Sequence, residues 1–501
     1  MSDKAKLEYF RAKGLLPWQL DFALRFLESE DKRYWELVAP TGAGKTHLAT
    51  VLIAHEMEDG SDKRILVLAP AQTLLMWQSQ LLSFWSTLSV PVCTPLIVDR
   101  KTYLELESQV PVGHSPWPLP AIILMSIDLA KREDMAAKLS DIRWDLLIFD
   151  DIHRFTGKRR ALFDRLTRSG AIRHALLLAQ IEHPLPSDIV TTVRITLKDV
   201  VNWKGRPLFG PFEKFVQVYY QRTEEERAFL SELLEFTDQL ANKWSLGKWQ
   251  EKIILHVASS SMYATAGVLL RLQDVWRSLQ NKIAHGIPWT NEDVERVQQQ
   301  LISASDEPES IAELVAGRTI QPEEFLAFYP KLELLLNQIE EFPGDPKMDT
   351  LIYHITKFCE AKDKPYLCII SSFKDTVQYV NSSVQDLEIP VFSLTSSQEF
   401  NERMSSIKAF QENGGLLIAT DAGLEGVALE NVAECINYDL PIDTRMFKRR
   451  WGRFARFGRK GGFRMVVFRD QTKALSWEED LFKTLDDMVS SEEGSLWHAE
   501  N

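Results

Sequence analysis

The sequence is poor in the features that mark secreted, metal-binding or membrane proteins. Its 501 residues include only four cysteines, and none of them forms a CxxC pair, so neither a disulfide framework nor a zinc site is indicated. No apolar run approaches the roughly 18 residues that a membrane span needs. The first residues, MSDKAKLEYFRAKG, contain no apolar core and no cleavage-site pattern, so we expect a cytoplasmic protein without a membrane partner.

An excess of positive charge is also missing from the chain as a whole. The net charge of −13 argues against a basic coat for nucleic acid, but it does not argue against a local basic groove. Residues 445–469 carry ten Lys or Arg and no acid, and residues 154–173 carry seven against one acid. By charge alone, either cluster fits a solvated face as well as a binding surface.

The composition is that of an ordinary globular protein, with 45% hydrophobic and 26% charged residues. At about 100–200 residues per domain, the length predicts roughly three domains. Residues 1–204 and 346–480 alternate short apolar runs with helical patterns, which predicts α/β domains with parallel sheets covered by helices. Residues 205–345 show long helical periodicity and predict a helical insertion, either between these domains or attached to the second. Residues 481–501 predict a frayed acidic tail.

Ten short runs are predicted strands, and those of the first stretch are bounded by polar or turn residues, as expected for strands buried on both faces. The runs in the first stretch are Trp35–Ala39, Ile65–Ala69, Ala121–Met125, Leu146–Phe149 and Ala175–Ala179. The runs in the second stretch are Tyr366–Ile370, Val391–Leu394, Leu416–Ala419, Ala433–Asn437 and Arg464–Phe468.

The strongest local pattern is APTGAGKT, which lies between an apolar run and a helical pattern. A strand, a glycine-rich loop and a helix in this order are typical of a loop that binds phosphate. Two glycines let the backbone N–H groups face one point, where they and the helix N-terminus hold phosphate oxygens. The lysine reaches the β and γ phosphates, and the final threonine offers a hydroxyl to Mg²⁺. We therefore expect ATP and Mg²⁺ to bind through Thr41, Gly42, Ala43, Gly44, Lys45 and Thr46.

A second pattern, WDLLIFDDIHRF, places two adjacent carboxylates at the end of a predicted strand. Asp150 is placed to hold Mg²⁺, directly or through water. Asp151 is placed to orient or deprotonate the attacking water. Standing alone, these residues fit an exposed turn, but behind a phosphate loop they favour a catalytic site.

A third pattern, RRWGRFARFGRKG, holds Arg453 and Arg456 three residues apart, on one face of a helix. Guanidinium groups aimed at a γ-phosphate stabilise the charge that develops during phosphoryl transfer, so we predict that both arginines are catalytic. From this segment alone, a basic nucleic-acid patch without a catalytic part is the alternative.

Together these patterns resemble a superfamily 2 helicase-type ATPase, and in particular the Swi/Snf-type and bacterial RapA-like DNA translocases. The resemblance covers most of the chain and includes the segments LLPWQLDFALRFL, LVLAPAQTLLMWQSQLLSFW, ILMSIDLAKR, CIISSFKDTVQYV and LLIATDAGLEGVALENVAECINYDLPID. It implies two RecA-like domains that bind ATP and Mg²⁺ in the cleft between them, with double-stranded DNA at the opposite edge.

The resemblance also implies roles for individual residues. Gln19 stands at the place that reads adenine, and Gly426 stands at the glycine of the fifth motif, beside the nucleotide. Four residues stand in segments that contact nucleic acid, namely Pro70, Ser126, Ser371 and Thr420.

Three departures from the family pattern bear on mechanism. Asp151 stands where the family has glutamate, so the carboxylate is one methylene shorter, which bears on the hydrolysis rate. The segment LLLAQIEHPLPS stands where the family has a TGTP-like motif, which bears on coupling between ATP state and DNA movement. Arg449 stands where glutamine is usual.

The sequence therefore predicts an ATP-hydrolysing translocase on double-stranded DNA, with RNA or single strands as alternative ligands and a targeting protein as a partner. The rival hypothesis is an ATP-gated clamp or scaffold subunit that binds nucleotide and DNA but turns over slowly. Asp151 and the missing coupling motif favour this rival. The paired arginines and the TDAG segment argue against a phosphate-loop enzyme that acts on a small molecule.

Overall fold

A computed structural model of the chain describes most residues of two compact units. The described residues are 3–29, 33–58, 62–86, 93–111, 114–150, 157–180, 183, 185, 189–208, 212–244, 248–285, 287, 329–361, 365–427, 429–441, 444–454 and 462–490. The chain divides between Gly210 and Pro211, and each unit is described by itself below. No helix in the described ranges is both long enough and apolar enough to cross a membrane.

The first unit is built on a seven-stranded sheet in the order β3-β4-β2-β5-β6-β1-β7. Every strand pair in it is parallel, as the βαβ pattern predicts. Its strands are β1 (Tyr34–Val38), β2 (Arg64–Ala69), β3 (Leu96–Ile97), β4 (Ala121–Ser126), β5 (Trp144–Phe149), β6 (Ile172–Ala179) and β7 (Val190–Arg194).

Helices connect these strands and cover the sheet. They are α1 (Asp3–Ala12), α2 (Pro17–Glu28), α3 (Lys45–Glu58), α4 (Leu74–Trp85), α5 (Arg100–Ser108), α6 (Ile127–Ala130), α7 (Glu133–Ser140) and α8 (Gly157–Arg168). Short 3₁₀ turns span Ala71–Thr73 and Leu197–Asp199.

The central strands are mostly apolar because both faces of the sheet are buried. In β2, Ile65 and Val67 belong to the apolar cluster on one face, and Leu66 and Leu68 belong to the cluster on the other. All four side chains are fully buried. The carboxyl ends of the parallel strands therefore share one edge, where polar side chains can converge.

The second unit contains a six-stranded sheet in the order β10-β11-β9-β12-β13-β8, again with parallel pairs throughout. Its strands are β8 (Phe212–Tyr220), β9 (Tyr366–Ser371), β10 (Val391–Leu394), β11 (Gly415–Thr420), β12 (Glu434–Asn437) and β13 (Phe463–Asp470). Its helices are α9 (Glu224–Trp244), α10 (Lys248–Ser260), α11 (Met262–Ala284), α12 (Tyr329–Glu340), α13 (Pro346–Glu360), α14 (Lys374–Ser383), α15 (Phe400–Asn413), α16 (Thr444–Phe454) and α17 (Ser476–Ser490).

All ten predicted strands are present, and the prediction of parallel α/β sheets is confirmed. The stretch predicted as a helical insertion differs in one respect, since it begins with strand β8, which pairs with β13. The helices α9 to α12 of this stretch share an apolar cluster with Phe373 and Leu475, so the described helices belong to the second unit.

The predicted acidic tail also begins differently in the structure. Helix α17 continues to Ser490, and Leu481, Phe482 and Leu485 on it are buried. These side chains are apolar at helical spacing, and packing them on the unit gains more than leaving them in water. Residues 491–501 lie outside the described ranges.

Candidate functional site

The predicted phosphate loop forms the connection between β1 and α3. Gly42 and Gly44 have φ values of +79° and +96°, in the left-handed region that glycine adopts without steric cost. A Cβ atom on Gly44 would lie 2.5 Å from Nε2 of Gln19, so no larger residue fits there without movement. The curl of the loop and the start of α3 produce a concave backbone surface of the kind that holds phosphate.

Gln19 lies directly against this loop. Its side chain is 1% exposed, its Nε2 donates to the Gly44 carbonyl at 2.9 Å, and its Oε1 accepts from the Leu16 amide at 2.7 Å. The side chain thus ties the start of α2 to the phosphate loop. A role for Gln19 in reading adenine stays a prediction.

Lys45 lies at the first position of α3 and points back over the loop. Its Nζ donates to the carbonyl oxygens of Ala39 at 2.6 Å and Pro40 at 3.0 Å. Thr46 follows on the first turn of α3, and Ala43 is buried within the loop. The predicted loop residues, Thr41 among them, are therefore contiguous around one concave turn. Their binding of ATP stays a prediction.

Asp150 lies at the carboxyl end of β5, next to the central strand β2. Its backbone N–H donates to the Leu68 carbonyl at 2.8 Å, and its carboxylate Oδ2 accepts from Nε1 of Trp77 at 2.7 Å. Helix α3, which carries Thr46, contacts β5. A carboxylate and a hydroxyl are oxygen ligands of the kind that Mg²⁺ takes together with phosphate, so this donor set fits the ion. Asp151 and His153 lie outside the described residues.

The segment in place of the coupling motif makes a contact that the sequence did not reveal. His183 lies beyond β6, and its Nδ1 is 2.8 Å from Oε1 of Glu36, a fully buried carboxylate in the middle of β1. The His183 backbone N–H and the Thr192 hydroxyl also donate to this carboxylate, each at 3.1 Å. His183 is thereby anchored to the strand that leads into the phosphate loop.

In the second unit, the arginine-rich helix α16 packs on the TDAG segment. Arg450 is fully buried and donates to both carboxylate oxygens of Asp421, at 3.0 and 2.7 Å. Arg449, which replaces the usual glutamine, pairs with Glu425 at 2.8 Å. Arg453 donates to the carbonyl oxygens of Asp421 and Leu424.

These contacts show the positions of Arg453 and Gly426, two residues predicted to act on or contact the nucleotide. The guanidinium of Arg453 is bonded to the backbone of its own unit, and its catalytic role stays a prediction, as does that of Arg456, which lies outside the described residues. Gly426 follows Glu425 in an exposed turn with φ +74°, a conformation that glycine adopts without strain. Its contact with nucleotide also stays a prediction.

Asp439 is a buried carboxylate with several hydrogen-bond partners, and the sequence did not predict a role for it. Its carboxylate accepts from the hydroxyls of Ser260, at 2.6 Å, and Ser371, from the backbone and hydroxyl of Ser372, each at 2.9 Å, and from Arg450 at 3.2 Å. Burial by itself raises the pKa of Asp439, but the Arg450 guanidinium and these donors hold it at about 2. A signal existed in the sequence, because Asp439 lies two residues beyond the end of a predicted strand, much as Asp150 follows one directly.

The four predicted nucleic-acid residues lie at the carboxyl edges of the sheets. Ala69, which precedes Pro70, is the register partner of Ser126 across β2 and β4, and Ser371 is the partner of Thr420 across β9 and β11. The structure therefore brings these residues together in two pairs, one in each unit.

The hydroxyl groups of Ser126, Ser371 and Thr420 are already engaged. Ser126 caps α6 by accepting from the Leu129 amide at 3.1 Å. Ser371 and Thr420 are 1% and 0% exposed, and Thr420 accepts from the Gly423 amide at 3.0 Å. Direct contact of these two with a phosphate would require a local rearrangement, so their role stays a prediction.

Comparison with known proteins identifies families whose sequences match both units. Residues 13–179 match the family model of the type III restriction enzyme res subunit, and residues 346–458 match the helicase conserved C-terminal domain. A Bacillus subtilis protein named "Uncharacterized ATP-dependent helicase YqhH" is 23% identical over 94% of this chain and 77% of its own length.

A shorter match and a solved structure point in the same direction. The ATP-dependent RNA helicase DBP8 of Vanderwaltozyma polyspora is 30% identical over 28% of this chain, which spans 32% of that relative. The crystal structure of the Pyrococcus furiosus Hef helicase domain superposes with a TM-score of 0.50 at 16% identity, covering 94% of this chain and 98% of that one. The latter match confirms the prediction of two RecA-like domains. The chain is therefore an ATP-hydrolysing enzyme of the superfamily 2 helicase type.

Proposed function

We propose that this enzyme is a motor that uses ATP hydrolysis to move along double-stranded DNA, without necessarily separating its strands, guided by a targeting protein. The observation that carries the proposal is the bonded connection between α16 and the carboxyl edge of the second sheet. Arg450 holds Asp421 and Asp439, and Asp439 in turn holds Ser371. The helix predicted to sense the nucleotide and an edge predicted to meet nucleic acid therefore move as one body, as a motor requires.

The choice of duplex DNA is supported by the resemblance to Swi/Snf-type translocases along most of the chain. The Bacillus subtilis relative, which matches 94% of the chain, is named without a type of nucleic acid, whereas the RNA helicases compared match 22–37% of the chain. RNA is therefore the alternative ligand that an experiment has to separate from DNA.

The test is phosphate release measured without nucleic acid and with duplex DNA, single-stranded DNA or RNA. We expect duplex DNA to stimulate turnover most. Lys45→Ala should abolish turnover with every ligand, because the phosphate loop then has no lysine to reach the β and γ phosphates. Stimulation by RNA alone would overturn the choice of DNA. Normal turnover in Lys45→Ala would mean that the nucleotide binds elsewhere.

Movement itself is tested by displacement of a third DNA strand from a triplex at the end of a duplex. A translocase displaces the third strand in the presence of ATP but leaves the duplex paired. Separation of the duplex would identify a strand-separating helicase instead, and displacement without ATP would point to simple binding.

A weakly hydrolysing clamp is the second candidate, and Asp151 favours it. Withdrawing the carboxylate by one methylene moves it away from the attacking water, and a misplacement of about 1 Å can cost on the order of 10²-fold in rate. Asp151→Glu should then raise turnover, and Asp151→Asn should nearly abolish it while ATP still binds. A lower rate in Asp151→Glu would show that the site is shaped around aspartate.

A further inference from the structure

The bond between Trp77 and Asp150 joins two predicted functional segments of the first unit. Trp77 is fully buried on α4, and Asp150 is buried at the end of β5. Their 2.7 Å contact runs from the indole Nε1 to the carboxylate Oδ2. We propose that Trp77 is a positioning residue for Mg²⁺, because it fixes the carboxylate that holds the ion. This inference rests on the proposed metal role of Asp150.

The chemistry of this pair permits only one arrangement. An indole N–H can donate but not accept, and an ionised carboxylate can accept but not donate. A hydrogen bond to a charged acceptor is stronger than one between neutral groups, and burial keeps water from competing for it. The Trp77 N–H therefore restricts rotation of the Asp150 carboxylate. Residues that orient a metal ligand in this way typically change metal affinity or activity by roughly 10–100-fold when they are replaced.

A second hydrogen bond, to strand β2 just before the helix that carries Trp77, also holds Asp150 in place. Its backbone N–H donates to Leu68 on β2, while Trp77 lies on the helix that follows β2. Pro70, the predicted nucleic-acid contact, lies between these two anchors. A shift of this segment on binding nucleic acid would therefore be transmitted to the metal ligand from both sides. By linkage, nucleic acid should change the Mg²⁺ affinity of the nucleotide complex, and Mg²⁺ should change the affinity for nucleic acid.

Another tryptophan of the same unit provides a matched control. Trp144 is also fully buried, and its Nε1 donates to the Leu139 carbonyl at 3.0 Å. Trp144→Phe and Trp77→Phe thus remove the same ring volume and the same kind of donor, but only Trp77 donates to the metal ligand. A general loss of packing would affect both variants alike.

The experiment measures binding of a fluorescent ADP analogue to the full chain at increasing Mg²⁺ concentrations and in EDTA. We expect Trp77→Phe to raise the Mg²⁺ concentration for half-maximal binding by roughly 10–100-fold and to leave binding in EDTA unchanged. Trp144→Phe should match the wild type. Nucleic acid should shift the Mg²⁺ midpoint of the wild type and have less effect on Trp77→Phe. An unchanged midpoint in Trp77→Phe, or an equal shift in both variants, would overturn the proposal.

Two further variants keep the result decisive. If Trp77→Phe does not fold, 3-benzothienylalanine at position 77 keeps the bicyclic ring and replaces only the N–H with sulfur, and the same midpoint shift is expected. Asp150→Ala tests the premise separately. If it leaves the Mg²⁺ midpoint unchanged, the metal role of Asp150 is wrong; if it shifts the midpoint while position 77 has no effect, only the role of Trp77 is wrong.

Discussion

At the scale of single residues, the arginines of the RRWGRFARFGR segment have different surroundings. Arg453 donates to two backbone carbonyls of its own unit, whereas Arg456 is assigned only by the family pattern. We expect Arg456→Ala to leave ATP affinity nearly intact and to lower turnover by roughly 10³-fold or more, as is usual for an arginine finger. Turnover and nucleotide affinity of the purified variant check this expectation. A normal rate would assign Arg456 to another role.

Arg453 should behave differently, because its guanidinium also holds the chain together. Arg453→Ala removes two hydrogen bonds from a buried charged donor, so we expect the melting temperature to fall by roughly 4 °C or more. Arg456→Ala serves as the comparison in the same calorimetric scan. An unchanged melting temperature in Arg453→Ala would show that its carbonyl contacts do not contribute to stability.

The residues predicted from the sequence are those whose chemistry is local. A glycine-rich loop followed by lysine and threonine needs no distant partner to be recognised, and the structure places it between a strand and a helix as predicted. Trp77 and Asp150 are 73 residues apart, and Ser260 and Asp439 are 179 apart. No local pattern links such pairs, because their contact arises only when the strands are ordered in the sheet.

At the scale of elements, Arg450 joins helix α16 to the ends of β11 and β12, the two strands that flank β9. Its side chain is 0% exposed and pairs with Asp421 and Asp439, so removal of the charge leaves two buried carboxylates without their cation. We expect Arg450→Met to cost about 3–5 kcal/mol of unfolding free energy, measured by denaturant titration. Arg25→Met is the control, since Arg25 and Asp21 are 52% and 61% exposed and should contribute little. Equal effects would contradict this account.

The start of α17 contains a carboxyl group, that of Glu478, whose pKa is higher in the folded chain than in the unfolded chain. Burial raises the pKa of Glu478 from its ordinary value of 4.5 to about 7. The folded chain therefore holds this proton more tightly than the unfolded chain. The resulting stability is fully present below about pH 4.5 and is lost as the pH rises to about 7.

This linkage predicts how a neutral side chain at the same position changes stability. Glu478→Gln should gain stability relative to the wild type as the pH rises from 5 to 7.5, measured as the difference in unfolding free energy. The pH range of this measurement stops below 8, because burial lowers the pKa of the neighbouring Lys347 to about 8 and its titration would add to the difference. A difference that is constant with pH would show that Glu478 ionises normally in the folded chain.

The strands also show which kinds of strand can be predicted from the sequence and which cannot. Most of the ten predicted strands are largely apolar, because most of them are buried on both faces. The three that were not predicted all lie at sheet edges: β3 has only two residues, and β7 and β8 mix apolar with polar residues. An edge strand is covered less completely and needs less apolar sequence, so a search for buried runs misses three of the four edge strands and finds only β10.

At the scale of the whole molecule, a net charge of −13 coexists with a basic segment at 445–469. If duplex DNA binds through its phosphates, its affinity should fall linearly with the logarithm of salt concentration, with a slope of roughly −0.9 per phosphate contacted. Fluorescence anisotropy with two unrelated duplexes measures both the slope and the dependence on sequence. We expect a steep slope that is equal for the two sequences. A flat response, or a strong preference for one duplex, would contradict binding to the backbone.

The pairing of β8 with β13 determines when the second sheet can fold during translation. Strand β8 is the first strand of the second sheet to leave the ribosome, and its sole partner in that sheet, β13, is the last. About 240 residues separate them, so at about 5–20 residues per second β8 waits on the order of 10–50 s for its neighbour. The first unit can complete its sheet during translation. The sheet of the second unit is complete only once β13 has been synthesised, and until then the unpaired edge of β8 is a place where a chaperone can prevent wrong pairing.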